Sequence, residues 1–126
     1  MIEKEAKKII ARLQKKLKQD FGTTVNIKKV VVSNRLRVTW GQAEDPEGKP
    51  IIKLARKVFE GKTDTEAFRD TVIHEFCHHA DHKLYGGWGH GPGWQSLMVH
   101  FGQTPSVLVT DEHEKELNTP MKRKCK

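Results

Sequence analysis

Residues 63–84 read TDTEAFRDTVIHEFCHHADHKL. Ala67, Phe68, Thr71, Val72, Glu75, Phe76 and His79 recur at spacings of three and four, which predicts one helix over about 64–84. Thr63 stands three residues before Glu66, the arrangement of a capping box. Tyr85-Gly86-Gly87-Trp88-Gly89 breaks the pattern. Inside the helix lies His74-Glu75-Phe76-Cys77-His78, an H-E-x-x-H motif. Residues four apart share a helix face about 6 Å apart along the axis. Two imidazoles so placed can meet one zinc ion at about 2.0–2.1 Å. Glu75, next to the first ligand, can take a proton from the water that zinc acidifies. The motif therefore predicts a zinc metallopeptidase with Glu75 as its catalytic base and one catalytic Zn2+ as its cofactor.

Such a zinc needs a third protein ligand and keeps one open position; the candidates are His79, His82, His90, His100 and His113. His79 follows His78 directly and points about 100° away around the helix. His82 shares a face with His78 but lies about 12 Å of rise from His74, too far for one ion to join all three. His90 follows the glycine-rich break, where the chain can turn back, and is the expected third ligand. His100 is expected on a helix face or an interface. The metzincin spacing wants Gly three residues and His six residues after His78, and those positions hold Asp81 and Leu84. A later Glu ligand would have to come from Glu112, Glu114 or Glu116, which sit in a polar tail.

Upstream, Ile2, Ala6, Ile9, Ile10, Leu13 and Leu17 form one apolar stripe, which predicts an amphipathic helix over residues 2–21 ending at Phe21-Gly22. Residues 25–32 and 35–40 read as two strands joined by a turn at Ser33-Asn34, a hairpin. Residues 41–50 read as loop by composition, and residues 51–55 as a third strand. Downstream, a short helix is expected from Pro92, carrying Trp94, Leu97, Met98 and Phe101. The tail is polar, with helical potential over residues 111–117 and a frayed basic end.

The chain has 126 residues, 36% apolar and 31% charged, which suits one globular domain. No run of about 18 apolar residues and no signal peptide is visible, so a cytoplasmic or DNA-associated protein is expected, with no membrane partner. Cys77 and Cys125 are too few for a disulfide framework or a four-ligand zinc site; Cys77 is expected to be buried. The net charge of +7 is uneven: residues 1–40 carry +8, residues 41–120 carry −5 and residues 121–126 carry +4. Basic ends of this kind attract polyanions, nucleic acid first among them. The candidate contacts are Lys7, Lys8, Arg12, Lys15, Arg35 and Arg37. Trp88 is a candidate for stacking on an unpaired base, although packing, as for Trp40 and Trp94, is its plainer reading.

The sequence resembles the SprT-like metallopeptidases, whose members include Spartan-like DNA–protein crosslink protease domains. The resemblance rests on His74-Glu75-Phe76-Cys77-His78 with its lead-in Thr71-Val72-Ile73, and on His90-Gly91-Pro92-Gly93-Trp94, which is similar to the family's H-G-x-x-[FW] element. Residues 35–41 and 51–53 are similar, more weakly, to the segment before the active-site helix. The likeness implies an α+β, zincin-like minimal domain: a small antiparallel sheet packed with the H-E-x-x-H helix and an N-terminal helix. It implies metal ligands His74, His78 and His90, the base Glu75, and cleavage of proteins bound or crosslinked to DNA, single-stranded DNA being the preferred partner. Residues 1–105 would be the metallopeptidase domain and residues 106–126 a basic-ended tail without the zinc ribbon that many members carry. A monomer is expected. The competing readings are a DNA-binding module with structural zinc and a regulatory peptidase that acts without DNA.

Overall fold

A computed structural model describes residues 1–36 and 39–106, and the backbone of residues 123–125. The first helix, α1, runs over Ile2–Phe21 and buries Ile2, Ala6, Ile10, Leu13 and Leu17 along one stripe. Glu3 and Glu5 in its first turn and Lys18 in its last suit the helix dipole. Gly22 ends it in the left-handed region at φ 73°, its N–H bonded to the Lys18 carbonyl. Gln14 then pins the chain that follows: its Oε1 accepts from the Val25 amide at 2.9 Å and its Nε2 donates to the Val25 carbonyl.

Among the described residues, four strands make one mixed sheet in the order β1-β3-β2-β4. These are β1 (Lys29–Ser33), β2 (Thr39–Glu44), β3 (Ile51–Ala55) and β4 (Arg123–Cys125). The expected hairpin is not formed. β1 pairs in parallel with β3, from Lys29 opposite Ile51 to Ser33 opposite Ala55. β3 pairs antiparallel with β2, from Gly41 opposite Leu54 to Glu44 opposite Ile51. β3 takes the middle position with Ile52, Leu54 and Ala55 all buried, and the sheet is therefore mixed rather than wholly antiparallel. The second strand also starts later than expected and continues through Gly41-Gln42-Ala43-Glu44, which composition alone assigns to a loop. The end of the tail is not frayed: Arg123–Cys125 pairs in parallel with β2, Thr39 opposite Arg123 and Gly41 opposite Cys125. Three residues carry no strand signature of their own, and the open edge of β2 supplies the partner groups. The helical stretch expected over residues 111–117 lies outside the described residues.

A short helix, α2 (Arg56–Phe59), leads to α3 (Glu66–Tyr85). Thr65, rather than Thr63, caps α3, its Oγ1 accepting from the Phe68 amide at 3.1 Å. Gly86 closes α3 in the left-handed region at φ 77°. Every residue from 70 to 81 is buried. α1, the sheet and a further helix, α4 (Pro92–His100), all pack around α3. The core beneath it includes an edge-to-face run of Trp40, Phe59 and Phe68, with ring centroids 5.9 and 5.2 Å apart. The α+β class, and the packing of the motif helix and the N-terminal helix on a small sheet, are as expected. Among the described residues, no helix is long and apolar enough to cross a membrane.

Candidate metal centre and cleft

Polar side chains in the buried middle of α3 are its informative feature. His74, Glu75, His78, His79, Asp70 and Asp81 are all at most 4% exposed. The i, i+4 spacing of the motif and the turn at Gly86 bring three imidazoles against one ring. Trp94 meets His74 edge-on at 5.2 Å, stacks on His78 at 5.5 Å and meets His90 edge-on at 4.6 Å. Its indole N–H donates to the His74 carbonyl at 3.2 Å. The Pro92 start of α4 sets this ring in place, four residues after His90.

His78 and His90 face each other with their Nε2 atoms 3.1 Å apart. Gln95 steadies His90 by donating from Nε2 to its carbonyl at 2.8 Å. His74 turns Nε2 toward Asp70 Oδ2 at 3.3 Å, and neither of its buried ring nitrogens makes a hydrogen bond. Asp70 is a residue that the motif alone does not reveal. The available signal is its place four residues before His74 on the same helix face, where a carboxylate can orient a ligand imidazole. Burial, reinforced by His90, His74 and His79, pushes His78 down to about 3, so its imidazole is neutral at physiological pH.

Among the described residues, no group of three or more His, Cys, Asp or Glu side chains is placed so that it could hold a metal ion. The donor set nevertheless suits a zinc ion in its chemistry. Two nitrogens at adjacent corners of a tetrahedron of 2.0–2.1 Å bonds stand about 3.3 Å apart, close to the observed separation of the His78 and His90 nitrogens. His74 contributes buried ring nitrogens that make no hydrogen bond, and a ligand imidazole must be neutral, as His78 is.

Glu75 lies on the sheet side of α3. Gly41 of β2 passes so close that a Cβ there would stand 3.1 Å from Glu75 Cγ and Oε2 and 3.0 Å from Thr71 Cγ2. A glycine inside a strand marks such an approach. Gln42, Ala43, Glu75, His78 and Trp88 line a cleft of about 130 Å3. Trp88, 39% exposed, forms its rim, stacking on His82 at 4.4 Å and meeting His79 edge-on at 5.4 Å.

Among the described residues, His79, His82 and His100 stay outside the cluster, and His113 lies outside the described residues. His79 Nε2–H donates to the Ile51 carbonyl at 2.8 Å, tying α3 to β3. His82 lies 3.9 Å from Asp45. His100 bridges α4 to α1 through Asp20 at 2.7 Å and meets Phe21 edge-on. Cys77 is a free, buried thiol, its pKa raised by burial and then by Glu75, Asp70 and Asp81.

Residues 6–114 match the model of the SprT-like family. The chain belongs to the SprT-like family. Over 102 residues it is 32% identical to the Germ cell nuclear acidic-1 protein of Caenorhabditis elegans. The match covers 74% of this SprT-like chain and 18% of the relative, so the chain spans under a fifth of that protein's length. No solved structure matches the chain.

The candidate nucleic-acid residues of this SprT-like chain are spread out. Lys7, Lys8, Arg12 and Lys15 lie on the exposed face of α1. Lys7 pairs with Glu3 at 2.9 Å and Lys8 with Glu5 at 3.3 Å. Arg35 is exposed just beyond β1. Arg37 lies outside the described residues. None of the four α1 cations lines the cleft, whereas Trp88 does.

Proposed function

We propose that this chain is a zinc-dependent endopeptidase acting on proteins bound or crosslinked to DNA. Membership in a family generally associated with metallopeptidases supports the reading. The observation that carries it is the cleft in which Glu75 and His78 meet, with His90 Nε2 3.1 Å from His78 Nε2.

A zinc ion held by His74, His78 and His90 would supply the Lewis acid that polarises the peptide carbonyl and acidifies water. The remaining work belongs to the protein. Glu75, buried beside Gly41, accepts the proton of the attacking water and delivers it to the leaving amine. Trp94 packs against the three imidazoles, and Asp70 Oδ2 lies 3.3 Å from His74 Nε2. Gln42 and Ala43 of β2 form the wall along which an extended peptide lies, and Trp88 closes the opposite rim. The surplus of +8 over residues 1–40, much of it on the exposed face of α1, supports contact with DNA. So does the word "nuclear" in the relative's name, which also favours a DNA-associated location.

The test is a cleavage assay on a DNA-binding protein substrate, with and without single-stranded DNA, comparing the wild type with Glu75→Gln. Cleavage by the wild type that DNA stimulates, and its loss in Glu75→Gln with zinc still bound, is expected. Equal cleavage by both proteins overturns the mechanism. Equal wild-type cleavage with and without DNA removes the DNA part.

A further inference from the structure

Five of the eight residues from 86 to 93 are glycine, and His90 sits among them. Glycine loses more conformational freedom on ordering than any other residue, so a loop of this composition holds no geometry by itself. The groove beside it, about 580 Å3 in volume and lined by Tyr85, Gly89, Pro92 and Ser96 among others, leaves it room to move. A metal ligand, by contrast, has to be held in place by its surroundings.

Asp81 supplies a brace. It lies three residues beyond His78 on α3, is 4% exposed, and borders the same groove. Gly87, three residues before His90, passes its carboxylate so closely that a Cβ there would stand 2.7 Å from Oδ2. Gly93, three residues after His90, passes Oδ1 closer still, and a Cβ there would also stand 3.0 Å from Tyr85 Cδ2. The two carboxylate oxygens thus meet the two legs of one loop, with His90 at its apex.

We propose that Asp81 is a positioning residue for His90, its carboxylate wedged between Gly87 and Gly93 so that the loop presents the imidazole to His78. The proposal rests on the reading of His90 as a metal ligand. Asp81 touches no reacting atom; it acts through the loop.

The test measures zinc affinity by competition with a chromophoric chelator, after melting curves of the metal-free variants have shown that they fold. Asp81→Ala is expected to weaken zinc binding about tenfold or more, the usual cost of losing a group that orients a ligand. Asp81→Asn, which keeps the shape of the wedge, should stay within about threefold of the wild type. In a His90→Ala background, Asp81→Ala should change the affinity less than about twofold, because the loop then has no ligand to place. The cobalt-loaded Asp81→Ala protein should show the visible spectrum of His90→Ala. Should Asp81→Ala fail to fold, Gly93→Ala asks the same question from the loop side and should bring a similar loss. Wild-type affinity in Asp81→Ala or in Gly93→Ala, an equal loss in Asp81→Asn, or an undiminished loss in the His90→Ala background overturns the proposal. Unchanged affinity in His90→Ala alone removes His90 from the ligand set, a distinct failure that takes the brace down with it.

Discussion

His78 and His90, twelve residues apart in the chain, bring their Nε2 atoms to 3.1 Å of each other. Both rings pack on Trp94. Replacing either histidine by alanine should lower zinc affinity by at least two orders of magnitude, read by chelator competition. An affinity within a factor of two of the wild type for both variants would remove the pair from the metal site.

The same burial has a consequence for stability in the metal-free protein. His78 is pushed from 6.5 down to about 3 in the folded state. The unfolded chain therefore binds the proton first, and stability is full above about pH 6.5 and lost progressively as pH falls toward 3. Linkage puts the loss at about 2 kcal/mol by pH 5. Melting curves of the metal-free protein between pH 7 and pH 5 should show this slope, and His78→Gln should flatten it. An equal slope in both proteins would assign the acid sensitivity to other groups.

Glu75→Gln keeps the shape of the side chain and removes its basicity. Turnover should fall by about two to four orders of magnitude, with one zinc per chain still found by metal analysis. Loss of the metal along with the activity would show a structural effect instead of a missing base.

Gly41→Ala places a methyl group 3.0 Å from Thr71 Cγ2 and 3.1 Å from Glu75. Overpacking of this kind costs about 1–3 kcal/mol, and it should lower activity more than zinc content, because Glu75 moves and the histidines do not. Thr71→Ser, by removing Cγ2, should recover part of the lost stability. A Gly41→Ala protein as stable and as active as the wild type would mean that β2 does not bear on Glu75 in solution.

Reversing the charges of Lys7, Lys8, Arg12 and Lys15 should weaken binding to single-stranded DNA and flatten its salt dependence, by about 0.7 in log–log slope per lost phosphate contact. Fluorescence anisotropy at two salt concentrations measures both. Unchanged affinity and slope would move the DNA contact off α1.

The helices were legible because their signals are local. The α1 stripe buries Ile2, Ala6, Ile10, Leu13 and Leu17 as its spacing predicts. The four-residue interval of His74 and His78 places them on one helix face whatever surrounds it. The break after Tyr85 made His90 the candidate to return, and His90 does meet His78. The sheet was less legible, since strand order depends on partners that the local pattern does not name. Two β-rich stretches separated by Ser33-Asn34 read as a hairpin, yet β3 lies between them because its buried residues fill the middle of the sheet.

Sequence alone therefore determined the motif helix, its amphipathic companion α1 and the identity of the facing histidines, since helical period and ligand chemistry are properties of neighbouring residues. Tertiary structure decided what surrounds them. Gly41 belongs to a strand lying on Glu75, Trp94 gathers three imidazoles, and Gly87 and Gly93 close on Asp81. A glycine in the sequence reads as a break in the chain. Only when the opposing surface is in place does its missing side chain become the space into which a carboxylate fits.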